Sequence, residues 1–473
     1  MTLHASTMPL RLFDTLERRL HELTPLDGGT FRFYCCGPTV YGPAHIGNFR
    51  TFVCQDIFRR VMELGGIPTK HVRNVTDVDD KTIRDSLKAG KSLREFTDGW
   101  KARFHADCAA LNCLPPHVEP GAVDHIPQQI EMIATLIEKG HAYQAADGSV
   151  YFKVSSFENY GRLSRLKERE LLQGAATSSD EYEKDTLADF ALWKGRKEED
   201  GPNYWPSPWG EGRPGWHLEC SAMTRAYLGD TFDLHSGGED LIFPHHENEI
   251  AQSECCTGHE FCRHWFHVTH LLVDGKKMAK SEGNFYTLGD LTEKGFTPAE
   301  IRYVLAAGHY RAQLNFTTDS LAAARSALGK IARAEKALAE RAGVSAPPDY
   351  ASLPGTPPGA FADAWQSLNN DLNTAEALGH IFVALKSLKP ESMSPEEAAA
   401  AHRALHFILA AFGLVLPAEV QDDVPADIQA LAEKRWAVRT AKDWPAADAL
   451  RKELDELGWI MKDGKEGYTL TRK

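Results

Sequence analysis

The sequence predicts an α/β protein: a parallel-sheet domain carrying an insertion, then a helical domain, then a small C-terminal α+β domain. Three observations carry that prediction. Residues 31–36 (FRFYCC) and 68–74 read as buried strands, joined by a Gly/Pro-rich loop and a helix over about 48–63. Strand, loop, helix, strand is the start of a parallel sheet. From about 115 to 214 the pattern breaks, and it resumes over 216–262 and 264–273. From about 297 onward the apolar spacing is helical, over 301–307, 320–342, 358–387 and 395–414.

Taken in order, the second strand is followed by TDVDD and a helix. The insertion holds a helix near 126–139, a hairpin-like GSVYFKV and the polar stretch EEDGPNYWPSPWGEGRPG. Residues 344–359 contain five prolines and read as a loop, because proline bars a regular helix or a central strand. The segment 426–473 has 10 Lys/Arg against 9 Asp/Glu, so it is near neutral while the rest carries the negative excess. It offers a helix near 446–457 and a final strand, GYTLTRK. The expected domains are therefore 1–320 (insertion 115–214, lysine-rich loop 275–284), 321–425 and 426–473. No internal repeat is present.

With 473 residues the chain is long enough for about two to four domains. A hydrophobic fraction of 42% and a charged fraction of 25% are those of an ordinary globular protein. No apolar run is long enough to span a bilayer, and the first twenty residues lack the apolar core of a secretory signal. Nine scattered cysteines suit a reducing cytoplasm, with some thiols used as ligands and most simply buried. A net charge of −13 excludes a basic nucleic-acid coat but not a local basic face.

Chemistry concentrates between residues 215 and 252, which read GWHLECSAM and later DTFDLHSGGEDLIFPHHENEIAQ. Pro244 is well placed to open a helix, on which His245 and Glu249 share one face. Alone, such a pair is most often a surface pair. With Cys220 it becomes a thiolate, an imidazole and a carboxylate, a set that suits zinc. Cys36 is the best candidate for a fourth ligand. Cys36, the loop at His45 and Thr76 all fall at carboxyl ends of strands, where parallel sheets bind ligands.

Two loops have phosphate chemistry. His45-Ile46-Gly47-Asn48 follows a strand and opens a helix. A helix N-terminus offers free N–H groups and a positive dipole end, and Gly47 admits close backbone approach. Residues 275–284, GKKMAKSEGN, form a glycine-bracketed lysine loop. Lysine is a mobile point charge that can follow a departing pyrophosphate, although such strings also occur as solvated loops.

Together these two strings resemble the HIGH and KMSKS signatures of class I aminoacyl-tRNA synthetases. A finer resemblance is to the cysteinyl-tRNA synthetase family, carried in order by CGPTVY, TDVDDK, DFALWK, GRPGWHLECSAM, FPHHENEIAQ and HYRAQLNF. It runs from about residue 10 to 473 and is weakest over 342–421. It implies a Rossmann-type catalytic domain with an inserted subdomain, a helical bundle domain and a C-terminal anticodon-binding domain. Carried over by position, the zinc ligands are Cys36, Cys220, His245 and Glu249. Gly37, Thr39, Thr76 and Trp216 match the cysteine pocket, with His217 beside it. Gly238 and Asp240 match the adenosine-facing loop. His45, Gly47 and Asn48 match the ATP-binding signature, and Lys277 and Lys280 the mobile lysines. Two positions depart from the signatures: Asn48 stands where the first has His, and Ala279 where the second has Ser. An amide donates hydrogen bonds but carries no charge.

The resemblance implies activation of L-cysteine by ATP-Mg2+ and transfer of the cysteinyl group to the terminal adenosine of cysteine tRNA. It implies one Zn2+ per chain and a cytoplasmic monomer without membrane contact. A zinc-bound substrate thiolate would separate cysteine from serine without editing. Three alternatives stay open on the sequence: a closed structural zinc site, a related ligase that couples activated cysteine to an amino sugar, and a silent paralogue that binds tRNA or zinc.

Overall fold

The computed structural model describes residues 9–166, 189–278, 283–417, 426–464 and 467–472; Ala279 and Lys280 lie outside them. The chain divides into two compact units, Met1–Leu416 and Pro417–Lys473.

The larger unit opens with an antiparallel pair, β1 (Arg11–Asp14) and β2 (Arg19–Glu22), to which the sequence reading gave no element. The main sheet then begins: β3 (Phe31–Cys35), α1 (Ile46–Leu64) and β4 (Thr69–Arg73) form a βαβ unit. Two helices, α2 (Asp80–Lys88) and α3 (Leu93–Ala110), lead to α4 (Ile126–Glu138). An antiparallel sheet follows, with β5 (Ala142–Gln144), β6 (Val150–Phe152), β7 (Phe190–Gly195) and β8 (Gly212–Pro214) paired in that order. It is the core of the expected insertion.

The parallel sheet resumes with α5 (Trp216–Leu228), β9 (Phe232–Gly238), α6 (Glu247–Thr257) and β10 (Cys262–Val268). Its order is β10-β9-β3-β4, all parallel. A small sheet of β11 (Leu271–Val273), β12 (Lys276–Lys277) and β13 (Leu314–Phe316) flanks α7 (Leu288–Glu293) and α8 (Pro298–Ala306) in sequence. The helical region is α9 (Thr318–Ala342), α10 (Ala362–Asn369), α11 (Thr374–Ser387) and α12 (Pro395–Phe412). The expected helix over 358–387 is two helices. The chain turns between them at Asp371 and Leu372, where φ is 64° and 47°. The Asp371 carboxylate accepts from the Phe13 N–H at 2.9 Å and the Tyr310 hydroxyl at 2.5 Å, so partners far off in sequence hold the break.

Alternation along β3 sorts its residues between two cores. Phe31, Phe33 and Cys35 join one continuous core that runs through α1 into α8, α9 and α12. Tyr34 and Cys36 face the other side, with Cys220, Phe232, Ile250 and Trp265. α1 is buried on nearly every side, so its polar residues are bonded inward. Arg50 donates to the carbonyls of His270, His309 and Ala312 at 2.9, 3.1 and 2.6 Å. Asp56 accepts from Arg60 at 2.7 Å and Arg302 at 2.5 Å.

The smaller unit contains α13 (Ala426–Thr440), α14 (Trp444–Glu456), β14 (Trp459–Asp463) and β15 (Tyr468–Arg472), the strands antiparallel. Ile428, Ala432, Leu454, Trp459 and Met461 form its core. The buried Arg435 closes it by donating to both carboxylate oxygens of Asp463, at 2.6 and 3.0 Å.

Candidate active site and metal centre

Strand parity selects the first thiol. Cys36 leaves β3 on the face opposite Cys35, and its N–H is held by the Ser236 carbonyl of β9 at 3.0 Å. Cys220 comes from the second turn of α5. His245 follows β9 through two short turns, Glu239–Leu241 and Ile242–His246, the second with Phe243 extended at φ −138°. Glu249 lies in the first turn of α6. All four side chains are buried, and their ligating atoms lie within 4.8 Å of one another. His245 Nε2 is 2.9 Å from Glu249 Oε1, and Cys36 Sγ is 3.7 Å from the same oxygen.

A histidine shell surrounds the four. His235 Nε2 is 2.8 Å from Glu249 Oε2. His217 Nδ1 is 2.9 Å from His245 Nδ1, and Trp216 stacks on the His245 ring at 4.2 Å between centroids. His246 Nε2 is 3.3 Å from Cys36 Sγ, and its Nδ1 is 2.7 Å from His267 Nε2. Gly237 makes room for this packing, since a Cβ there would stand 2.7 Å from the His246 ring. Cys36, His235, His246 and Glu249 form an overlapping second set of the same compactness.

Charge inside the cluster is set by burial against neighbours. Burial raises the Glu249 carboxyl, but His235 and His245 outweigh it and hold the group at about 2. Burial lowers His245, but Glu249 and Cys220 raise it to about 10. For Cys220 burial raises the thiol, while hydrogen bonds from Cys36 and His245 bring it down to about 6. Burial keeps Cys36 well above the ordinary thiol range, and it presses His217 and His267 down to about 3. The cluster thus holds anionic ligand atoms beside a proton that a cation would displace.

The two signature loops meet. His45 caps α1: its Nδ1 accepts from the Asn48 N–H at 3.2 Å, and Asn48 Oδ1 accepts from the His45 N–H at 3.1 Å. The Ile46 N–H bonds the Tyr286 carbonyl at 3.0 Å, and Phe285 lies edge-on to His45. Met278 reaches over Gly47, where a Cβ would stand 3.0 Å from its methyl carbon. Lys277 ends β12 and is exposed. Gly37 fits only as glycine: a Cβ would stand 1.7 Å from the Asn74 carbonyl oxygen. That close approach lets Thr39 pair with Thr76.

Thr39, Trp216 and His217 line a cavity of 360 Å³ whose walls also include Asp79, Lys194 and Arg213. Asp240, Thr269 and His270 line a separate cleft with His267 and Arg311. Gly238 precedes that cleft, close to Thr51 of α1.

Comparisons with known proteins bear on this arrangement. Residues 22–326 match the family described as tRNA synthetases class I (C) catalytic domain. Residues 421–469 match the cysteinyl-tRNA ligase anticodon binding domain. The chain is 55% identical to the cysteine–tRNA ligase of Opitutus terrae, over 98% of this chain and 99% of that protein. It is 41% identical to that of Protochlamydia amoebophila over the full length of both. The chain belongs to the cysteinyl-tRNA synthetase family. It is an aminoacyl-tRNA ligase with the class I fold. In fold it also resembles Mycobacterium tuberculosis methionyl-tRNA synthetase in complex with methionyl-adenylate, at a TM-score of 0.57 and 15% identity over 81% of this chain and 90% of that one.

For a cysteinyl-tRNA synthetase the donor set at Cys36, Cys220, His245 and Glu249 fits a zinc ion: two sulfurs, one imidazole nitrogen and one carboxylate oxygen, with His246, His217 and His235 beside Cys36, His245 and Glu249. The sequence reading missed His235 and His267. A signal existed in β10, where His267 and Trp265 alternate with Phe266 and Val268 and so face the metal side. No helix among the described residues is long and apolar enough to cross a membrane.

Proposed function

We propose that this ligase charges cysteine tRNA with L-cysteine, and that the Cys36, Cys220, His245 and Glu249 cluster selects the amino acid. The observation that carries the reading is the burial of two thiols, an imidazole and a carboxylate beside Trp216, at the wall of a cavity and on the same sheet edge as the nucleotide loops. In the first step the cysteine carboxylate oxygen bonds to the α-phosphorus of ATP. The bond to the β-phosphate oxygen breaks, and pyrophosphate leaves. No general base is required, because the carboxylate is already ionised. The work left to the protein is positioning and charge neutralisation. The amide end of α1 and His45 face the phosphates, and Lys277 and Lys280 follow the departing pyrophosphate. Asn48, tied to the His45 N–H, acts by fixing the helix start. In the second step a ribose hydroxyl of the terminal tRNA adenosine attacks the acyl carbon, and AMP leaves.

When bound, zinc would supply a borderline-soft partner for the substrate thiolate. An apolar pocket separates near-isosteres by only about 10–200-fold, whereas such a metal takes sulfur far better than a hydroxyl. His235 and His217 would orient Glu249 and His245, and Trp216 would cover the ligand ring. We divide the chain functionally at about residues 320 and 425, with the last domain reading tRNA. We assign it to the cytoplasm as a monomer. The match at 421–469 favours tRNA over an amino sugar as acyl acceptor. Cysteine-dependent ATP–pyrophosphate exchange, run with serine as control and after zinc chelation, tests the reading. Exchange with cysteine alone, lost on chelation, is expected; exchange that ignores either variable would overturn it.

A further inference from the structure

Far from this cluster in the fold, α9 and α12 carry a second set of metal-ligating side chains. The two helices share the large apolar core, through Leu328, Ile331 and Leu338 on one and Leu405 and Leu409 on the other. At one point the facing residues turn polar. Glu335 of α9 meets His402 and His406, which lie one turn apart on α12. Both imidazoles turn Nε2 to the same carboxylate oxygen, Glu335 Oε1, at 2.7 and 3.0 Å. The rings are 4.5 Å apart. His402 is buried and the other two are half-buried. Nothing in the aminoacylation chemistry uses them.

A His-x-x-x-His spacing on a helix presents two nitrogens on one face, and the carboxylate answers from the opposite helix. The three ligand atoms lie within 4.8 Å of one another. Zinc–ligand bonds of about 2.0–2.2 Å in tetrahedral geometry set ligand atoms about 3.4 Å apart. The two nitrogen–oxygen distances, 2.7 and 3.0 Å, therefore need to open by less than about an ångström.

We propose that Glu335, His402 and His406 form a divalent transition-metal site that staples α9 to α12. Two nitrogens and one oxygen suit Zn2+, Co2+ or Ni2+ rather than Ca2+ or Mg2+. The half-exposed side leaves room for water as a fourth ligand.

The test is equilibrium dialysis of the full chain against micromolar Zn2+, with zinc per chain counted by atomic emission. Glu335→Gln and His406→Gln are the variants; each keeps side-chain bulk and hydrogen bonding at a half-buried position. The expected result is one zinc fewer per chain in each variant than in the wild type, whatever the sheet cluster binds. In the Co2+-loaded protein the variants should lose only weak ligand-field absorption. The intense thiolate charge-transfer band of the sheet cluster should stay, which also reports an intact fold. Equal zinc content in the wild type and both folded variants would overturn the proposal and leave a hydrogen-bonded triad.

Discussion

Cys35 and Cys36 are chain neighbours with opposite surroundings, and the pleat of one strand decides it. Cys35 lies in the core above α1, while Cys36 lies among the zinc-type ligands. We predict that Cys35→Ala keeps the wild-type zinc content and that Cys36→Ala carries one zinc fewer per chain, as measured by metal content after gel filtration. This difference was legible in the sequence, because period-two alternation in FRFYCC places the two thiols on opposite faces. The histidine shell was less so. His235 and His267 come from two strands whose register brings them together, and His246 from the turn that follows β9. At Lys280 the expectation rests on the lysine loop alone. Lys280→Ala should slow adenylate formation by about 10²-fold or more, as for loss of one preorganised donor to developing charge. Adenylate formation at the normal pre-steady-state rate would refute it.

Among elements, α1 does two tasks: its first turn carries the proposed nucleotide site and its middle turns lock α8 to the sheet. Asp56 is the lock, accepting from Arg60, Arg302 and the Leu114 N–H at 2.7, 2.5 and 2.8 Å. Asp56→Ala leaves two buried guanidinium groups short of their partner and should cost about 3–5 kcal/mol in urea unfolding. The same pair sets a pH dependence. Burial raises the Asp56 carboxyl, but Arg60 and Arg302 outweigh it and hold the group below its usual 3.8. A depressed carboxyl contributes stability that is complete above the unfolded value and is lost as pH falls through the folded one. The wild type should therefore lose stability below about pH 3.8 by a step that Asp56→Ala does not show. Element types followed from sequence where periodicity was long, as in α1 and α9. The break between α10 and α11 did not, because Phe13, Tyr310 and Arg311 fix Asp371 from outside the local sequence. The β1–β2 hairpin was missed for a related reason: strands of four residues, five of the eight polar, carry too little pattern.

For the molecule as a whole, we propose that the larger unit selects the amino acid and the smaller one reads tRNA. The smaller unit has its own apolar core, so its removal need not disturb the sheet. Deleting residues 426–473 should leave pyrophosphate exchange nearly intact while tRNA cysteinylation collapses; equal loss of both would mark the segment as a folding element. The succession of sheet, helices and a small α+β end was legible because each stretch has its own apolar spacing. The joint burial of the sheet and helical regions in one core was not, since it depends on long-range packing of α1 against α8 and α12. The central claim is that Cys36, Cys220, His245 and Glu249 hold a zinc that binds the substrate thiolate. X-ray absorption spectroscopy of protein carrying one equivalent of zinc tests it most directly. Saturating cysteine should add one sulfur neighbour to the zinc, and serine should add none. A two-sulfur shell unchanged by cysteine would contradict the claim and make the cluster a structural site.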